Sequence, residues 1–246
     1  MNVRIAAALA LLPLCAFTSP GESAPGFTDP TAITNVWAPF VPGSVKLFRG
    51  RDDGVRTARV ESFLAETRDF AWGGGTVECR ILQEQDFEAG ALIEFSLTWL
   101  AQDDEGNVQV FGEVSWAVEG GTLGEAEGDS WLVGGATQEG DPPGALNETD
   151  PHLFMSADPQ PGDVFVSPAW PSGNETVTVL AKLKGVKVPA GSFEQALLVQ
   201  ELDDGEDGQA PEKRWIVPGV GIVKEKEKHA HDELLATSLV EAAVGP

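Results

Sequence analysis

Apolar residues recur at every second position along most of this chain. In the clearest run, Ile93, Phe95, Leu97 and Trp99 alternate with Glu94, Ser96 and Thr98. Val108, Val110, Val114, Trp116 and Val118 continue the pattern beyond Asp103-Asp104-Glu105-Gly106-Asn107. Side chains of an extended chain point to opposite faces in turn, so two such runs around a short Asp/Gly/Asn loop predict a β-hairpin. Weaker alternation predicts strands at 45–49, 56–63, 76–83, 130–133, 175–184, 193–201, 214–217, 221–227 and 233–240. Clusters such as Gly73-Gly74-Gly75, Gly120-Gly121, Gly134-Gly135 and Asp203-Asp204-Gly205-Glu206-Asp207-Gly208 separate them. No segment of this region repeats at the helical period of about 3.6 residues.

Short antiparallel strands with one apolar face each must close on themselves or stack, because an open sheet leaves unpaired edges. The predicted fold class is therefore all-β: an antiparallel meander forming a curved sheet or partial barrel, with a two-sheet sandwich as the alternative. One stretch interrupts the pattern. Residues 134–161 are Pro-rich and irregular, which in a compact domain marks a functional flap or a disordered loop.

The first residues follow different rules. Arg4 precedes an apolar run, Ile5 to Phe17, too short to span a bilayer as a helix, and small or turn-forming residues follow it. This reads as a signal peptide covering 1–21, cut somewhere in 16–24, and implies a secreted or periplasmic protein. Leu12-Pro13-Leu14-Cys15 supplies the alternative, a lipoprotein anchored through Cys15. Residues 22–44 are rich in Pro, Gly and Thr and read as an extended lead-in, and 45–246 as a single β domain, a length compatible with one core. No later segment is apolar and long enough for a transmembrane helix.

Charge then narrows the partners. The 246 residues carry 16 Lys+Arg against 39 Asp+Glu, a net charge of −23, and residues 1–21 contribute only Arg4 to it. Such a surface repels phosphate backbones, so no nucleic-acid partner is expected. With Cys15 in the leader, Cys79 has no intramolecular partner, and it falls on the apolar face of its strand as a buried structural thiol.

Three stretches carry a resemblance: Ile33 to Ser44, Val188-Pro189-Ala190-Gly191-Ser192-Phe193-Glu194, and Val217-Pro218-Gly219-Val220-Gly221-Ile222-Val223-Lys224. With the hairpin from Trp99 to Glu113, they are similar to a group of uncharacterised secreted bacterial all-β proteins with P-x-GSF and PGVG turn motifs. The strand succession also resembles, at fold level, half-barrel periplasmic proteins that carry lipid or acyl chains. Both resemblances imply a shared fold rather than a shared chemistry. The chain departs from the first group in having no Tyr, and Val45-Lys46-Leu47-Phe48 stands where that group places an aromatic residue.

Candidate chemistry is sparse. His229 and His231, at i and i+2 on one strand face, would hold Zn given a third ligand such as His152. The acidic loops at 103–107 and 203–208 crowd oxygen ligands as Ca²⁺ sites do, without the spaced pattern of a known loop. There is no G-x-S-x-G, no H-E-x-x-H and no glycine-rich phosphate loop, so no catalytic residue is assigned. The expected function is an exported, non-catalytic binding module for a hydrophobic small molecule or lipid, with Ile93, Phe95, Leu97, Trp99, Val110, Val114 and Trp116 as its apolar wall. An envelope structural or protein-interaction domain is the alternative, and a Ca- or Zn-linked enzyme the third. Cavity volume separates the first two, since a structural domain packs solid.

Overall fold

A computed structural model describes residues 24–168, 174–203 and 211–239. The signal peptide, Trp170 and most of the acidic loop at 203–208 lie outside the described residues. The first strands are β1 (Val45–Asp52), β2 (Val55–Trp72), β3 (Gly75–Glu88), β4 (Ala91–Gln102), β5 (Val108–Glu119) and β6 (Thr122–Ala126). The shorter β7 (Trp131–Val133), β8 (Leu146–Glu148), β9 (His152–Met155) and β10 (Val164–Pro168) follow. After β11 (Asn174–Leu183) come β12 (Val186–Val188), β13 (Gly191–Phe193), β14 (Ala196–Asp203), β15 (Glu212–Val217), β16 (Gly221–Lys226) and β17 (Ala230–Thr237). The protein is all-β, as its alternation predicts.

Turn chemistry sets the meander. Asp53-Gly54, Gly73-Gly74, Ala89-Gly90 and Gly120-Gly121 each place two successive residues at positive φ between adjacent strands. That is the two-residue turn whose twist matches a hairpin. β2 and β3 run beyond their predicted ends because Leu64-Ala65-Glu66 breaks the alternation without ending the strand. The ladder shifts register between Phe63 and Thr67 and continues to Trp72. The stretch 134–161 contains β8 and β9, too short and too mixed in composition to register as strands.

Fifteen strands form one sheet in the order β10-β11-β14-β15-β16-β17-β1-β2-β3-β4-β5-β7-β8, with β6 and β9 also paired to β5. All of its pairings are antiparallel except β7 with β8. The sheet curls until β9 and β10 lie side by side, but no ladder joins them, so it is not closed into a barrel. The β12–β13 hairpin lies outside this sheet and carries the P-x-GSF residues. Val188 and Phe193 pack there with Phe48, Val220, Val223 and Leu234 as a core of their own.

The lead-in is pinned down. Asn35 donates through Nδ2 to the carbonyls of Gly106 and Ser156 and accepts from the Trp37 and Ala38 amides. Gly219, in the PGVG turn, donates to Val36 O at 2.7 Å. A buried polar residue with every group partnered is a strong positioner. It seats Trp37, Pro39 and Phe40 where they line the space inside the curled sheet.

Candidate functional site

The curled sheet encloses a cavity of about 430 Å³. One wall is apolar: Val179, Leu197, Val199 and Ile216 are buried together, with Trp37, Met155, Phe165, Val177 and Ile222 packed against them. Charged side chains line the rest of the cavity, some on the same strands as the apolar cluster, with Arg214 directly opposite Val199 in the β14–β15 ladder, and the cations are committed to carboxylates. Lys46 Nζ lies 2.7 Å from Glu61 Oε2, both side chains under a tenth exposed. Arg59 reaches Asp86 at 2.9 Å and Glu225 at 2.8 Å. Arg214 pairs with Glu201, with Glu212 at 3.0 Å and with Glu225 at 3.3 Å. Glu225 thus bridges two guanidinium groups from strands that are not neighbours, tying β2 to β15 and β16 across the interior.

Strand register explains why polar residues face inward here. Leu82, Thr98 and Glu113 lie opposite one another on β3, β4 and β5, and the next row on that face is Glu84, Ser96 and Ser115. Leu82, Glu84, Thr98, Glu113 and Ser115 all line the cavity. Burial pushes the Glu84 carboxyl up to about 8, against the pull of Arg59 and with the push of Glu61, Glu113 and Asp86. Glu201 is pushed up to about 7 by burial, opposed by Arg214. Glu113, which is solvent-exposed where it lines the cavity, is raised too, by desolvation within the sheet and by Asp129. For Glu225 burial works upward, but Arg59, Arg214 and Lys46 together hold it below the usual carboxylate range.

These shifts give a pH dependence with a definite sign. Raised carboxyls keep protons in the folded state that the unfolded chain releases above about pH 4.3. Their contribution to stability is therefore full below that value and is lost as pH rises through about 7 to 8, where Glu201 and Glu84 ionise. The Tm is expected to be higher at about pH 5.5 than at about pH 8.5 by several degrees, and Glu84→Gln should flatten that slope. Glu225 contributes in the opposite sense only below the usual carboxylate range. Calorimetry showing a Tm that is flat or rises with pH between those values would contradict this account.

The seam between β9 and β10 opens onto the cavity. A smaller pocket of about 230 Å³ lies there between Glu148-Thr149-Asp150-Pro151 and Val166, and it shares His152, Leu153 and Ser167 with the main cavity. His152 stacks on Trp131 with ring centroids 4.1 Å apart. Burial lowers its pKa, opposed by Glu148, which favours the neutral ring.

The apolar positions predicted to form a ligand wall are distributed otherwise. Val110 lines the cavity. Trp99 and Val114 are buried in the large core with Phe70, Cys79 and Phe111, and Leu97 and Trp116 pack against that core. Phe95 is half-buried beside Trp116, and Ile93 is 41% exposed. The interior of β4 is thus its polar row, which Leu100 continues by ordinary alternation, while the bulge opposite Trp99 and Leu100 inserts Phe111 in β5 and turns Val110 to the face of Glu113. Cys79 is fully buried, and burial pushes its thiol well above the ordinary range.

His231 lies on β17, and His229 stands exposed just before it, its Nδ1 3.7 Å from Asp53 Oδ1. Among the described residues no group of three or more His, Cys, Asp or Glu side chains is placed to hold a metal ion. In the loop at 103–107 the carboxylates have structural partners. Asp103 accepts from the Asn107 amide, Asn107 Nδ2 and Gln109 Nε2, and Asp104 accepts from Thr28.

The interior residues Arg59, Glu84, Glu113, Arg214 and Glu225 carried no local signal. Glu225 sits in the run Lys224-Glu225-Lys226-Glu227-Lys228, which as a sequence resembles a solvated strand face. A two-residue period holds there too, with Val223 and Glu225 buried and Lys226 exposed. A Glu following a buried Val at strand spacing was the available clue.

The sequence matches no protein-family model and no curated protein. Two solved structures are similar. One is a predicted exported protein with a YmcC-like fold from Bacteroides fragilis, 13% identical, covering 81% of this chain and 97% of that one with a TM-score of 0.41. The other is a predicted lipoprotein from Parabacteroides distasonis, 12% identical, covering 83% and 99% with a TM-score of 0.34.

Proposed function

We propose that this protein is an exported, non-catalytic binding module that encloses a hydrophobic small molecule or a lipid in the cavity of its curled sheet. The observation that carries this reading is the cavity itself. Interiors pack to crystal-like density, and a space of about 430 Å³ falls in the range of ligand pockets rather than packing defects. Its apolar wall of Val179, Leu197, Val199 and Ile216 supports an apolar occupant, held by removal of that surface from water. The seam between β9 and β10 supports a route in, since parting two strands without a ladder breaks no backbone hydrogen bonds. Export rests on the signal-peptide pattern of residues 1–21.

Native mass spectrometry tests this on the mature protein from periplasmic expression without detergent. An additional mass of a few hundred daltons is expected, and Val199→Phe, which projects into the space, should remove it while leaving a cooperative unfolding transition. A bare mass for the parent chain would overturn tight binding and favour a structural or protein-interaction domain. A mass matching Ca or Zn, lost on chelation, would favour the metal-linked alternative.

A further inference from the structure

Resting on the binding reading above, we propose that the molecule bound in the cavity is an amphipathic cation, whose ammonium group sits against Glu84, Thr98 and Glu113 while its apolar part lies along the opposite wall. The register puts Thr98 directly opposite Glu113 and places Glu84 one row further along the same face. Side chains directly opposite in a ladder have Cβ atoms about 5 Å apart, whereas Glu84 and Glu113 stand on either side of β4 and one row apart, roughly 12 Å at the backbone, a span that two Glu side chains reaching toward Thr98 reduce to a gap of ammonium size.

Thr98 is the group that points to a ligand. It is 6% exposed, lines the cavity, and its hydroxyl has no hydrogen-bond partner among the described residues. That hydroxyl opens onto the cavity, where an occupant can meet it in place of solvent. Glu113 has no ion-pair partner within 4 Å among the described residues, and the nearest cation to Glu84 is Arg59 Nε at 3.9 Å. The cavity's cations cannot serve an anionic ligand without abandoning carboxylates they already hold, since Lys46, Arg59 and Arg214 are all paired. Charge lining the cavity therefore favours a cation.

The chemistry favours an ammonium over a metal ion. An alkylammonium has three donors, which match two carboxylates and one hydroxyl acceptor. Ca²⁺ and Mg²⁺ want six or more oxygens close together, and no group of three carboxylate or imidazole side chains converges among the described residues. The apolar wall then accounts for the rest of the molecule.

A proton signature follows. Without a cation, the Glu84 carboxyl holds a proton up to about pH 8, because burial, Glu61, Glu113 and Asp86 outweigh Arg59. Glu113 faces Asp129, Glu94 and Glu201 against Arg214 and is raised as well. Seating an ammonium displaces that proton, so affinity rises with pH up to about 8 by at most about tenfold per unit for each proton released.

Isothermal titration of the mature protein with decylamine, decanol and decanoate, at about pH 6.5 and 8.5 in buffers of different ionisation heat, tests the proposal. Decylamine should bind at least about tenfold more tightly than decanol at the higher pH, the advantage should shrink at the lower pH, and buffer dependence should report proton release. Glu113→Gln and Thr98→Val, each checked for a cooperative unfolding transition, should bring decylamine toward the affinity of decanol, with a much smaller change for decanol itself. Equal binding of amine and alcohol, or preference for decanoate, would overturn the cationic assignment while leaving the binding reading intact. Binding of none of the three would overturn both. Binding of Ca²⁺ alone that Glu113→Gln abolishes would overturn the ammonium in favour of a metal.

Discussion

Arg214→Ala is expected to destabilise the fold by about 2–3 kcal/mol at neutral pH, below the range for removing one partner of a fully buried ion pair because the Arg214 side chain is 27% exposed. Arg214 lies directly opposite Glu225 in the β15–β16 ladder and also holds Glu201 and Glu212. Its loss leaves three carboxylates around an interior site with only Arg59 reaching one of them. Neutralising the partners offers a rescue. As pH falls through the raised carboxyl range, Glu201 and Glu212 take up protons and the missing cation matters less, so the deficit should be largest near pH 8.5 and smaller near pH 5.5. Chemical denaturation of both proteins at the two pH values measures it. A deficit below about 1 kcal/mol, or one that grows on acidification, would show that the network is a surface feature of little energetic weight.

Gly50→Ala should cost about 3 kcal/mol or more, the upper end of overpacking effects, because the added atom strikes backbone rather than a movable side chain. A Cβ on Gly50 would overlap His231 O and Asp232 Oδ1 and lie 2.8 Å from His231 C. Gly50 sits in β1 opposite Asp232 of β17, and the β1–β17 ladder is what joins strands β10–β17 to strands β1–β8 in the sheet order. Relief of the overlap means prising that ladder apart, which also stretches the 2.9 Å hydrogen bond from Thr57 Oγ1 to Asp232 Oδ1. Gly128→Ala is the control, since a Cβ there meets nothing within 4 Å, and its effect should stay within about 0.5 kcal/mol. Similar melting of both variants would mean the β1–β17 junction yields easily.

Much of the fold was legible locally. The alternation in Ile93–Trp99 and Val108–Val118 located β4 and β5, and their turn is held as its composition implied, with Asp103 accepting from the Asn107 and Gln109 side chains. Boundaries were less legible where a bulge intervened, as at Leu64-Ala65-Glu66, because a register shift breaks the period without breaking the ladder. The interior site was largely illegible. Glu225 meets Arg59 across a sequence separation of 166 residues, and nothing near either residue announces the other. Both look like ordinary solvated charges until the sheet curls and brings them together.

By itself, then, the sequence determined that the chain is built of β-strands, where its tight turns fall, that its thiol is buried, and that its charge is strongly negative. Each of these follows from a residue and its immediate neighbours: side chains alternate about an extended backbone, and few residues tolerate positive φ. Only the tertiary structure decided which face of each strand became the inside. A period of two says that the faces differ, not which one a curled sheet will enclose. In β4 the apolar face packs into the aromatic core while Thr98 turns toward the cavity, because paired charges from distant strands make a polar interior tolerable there.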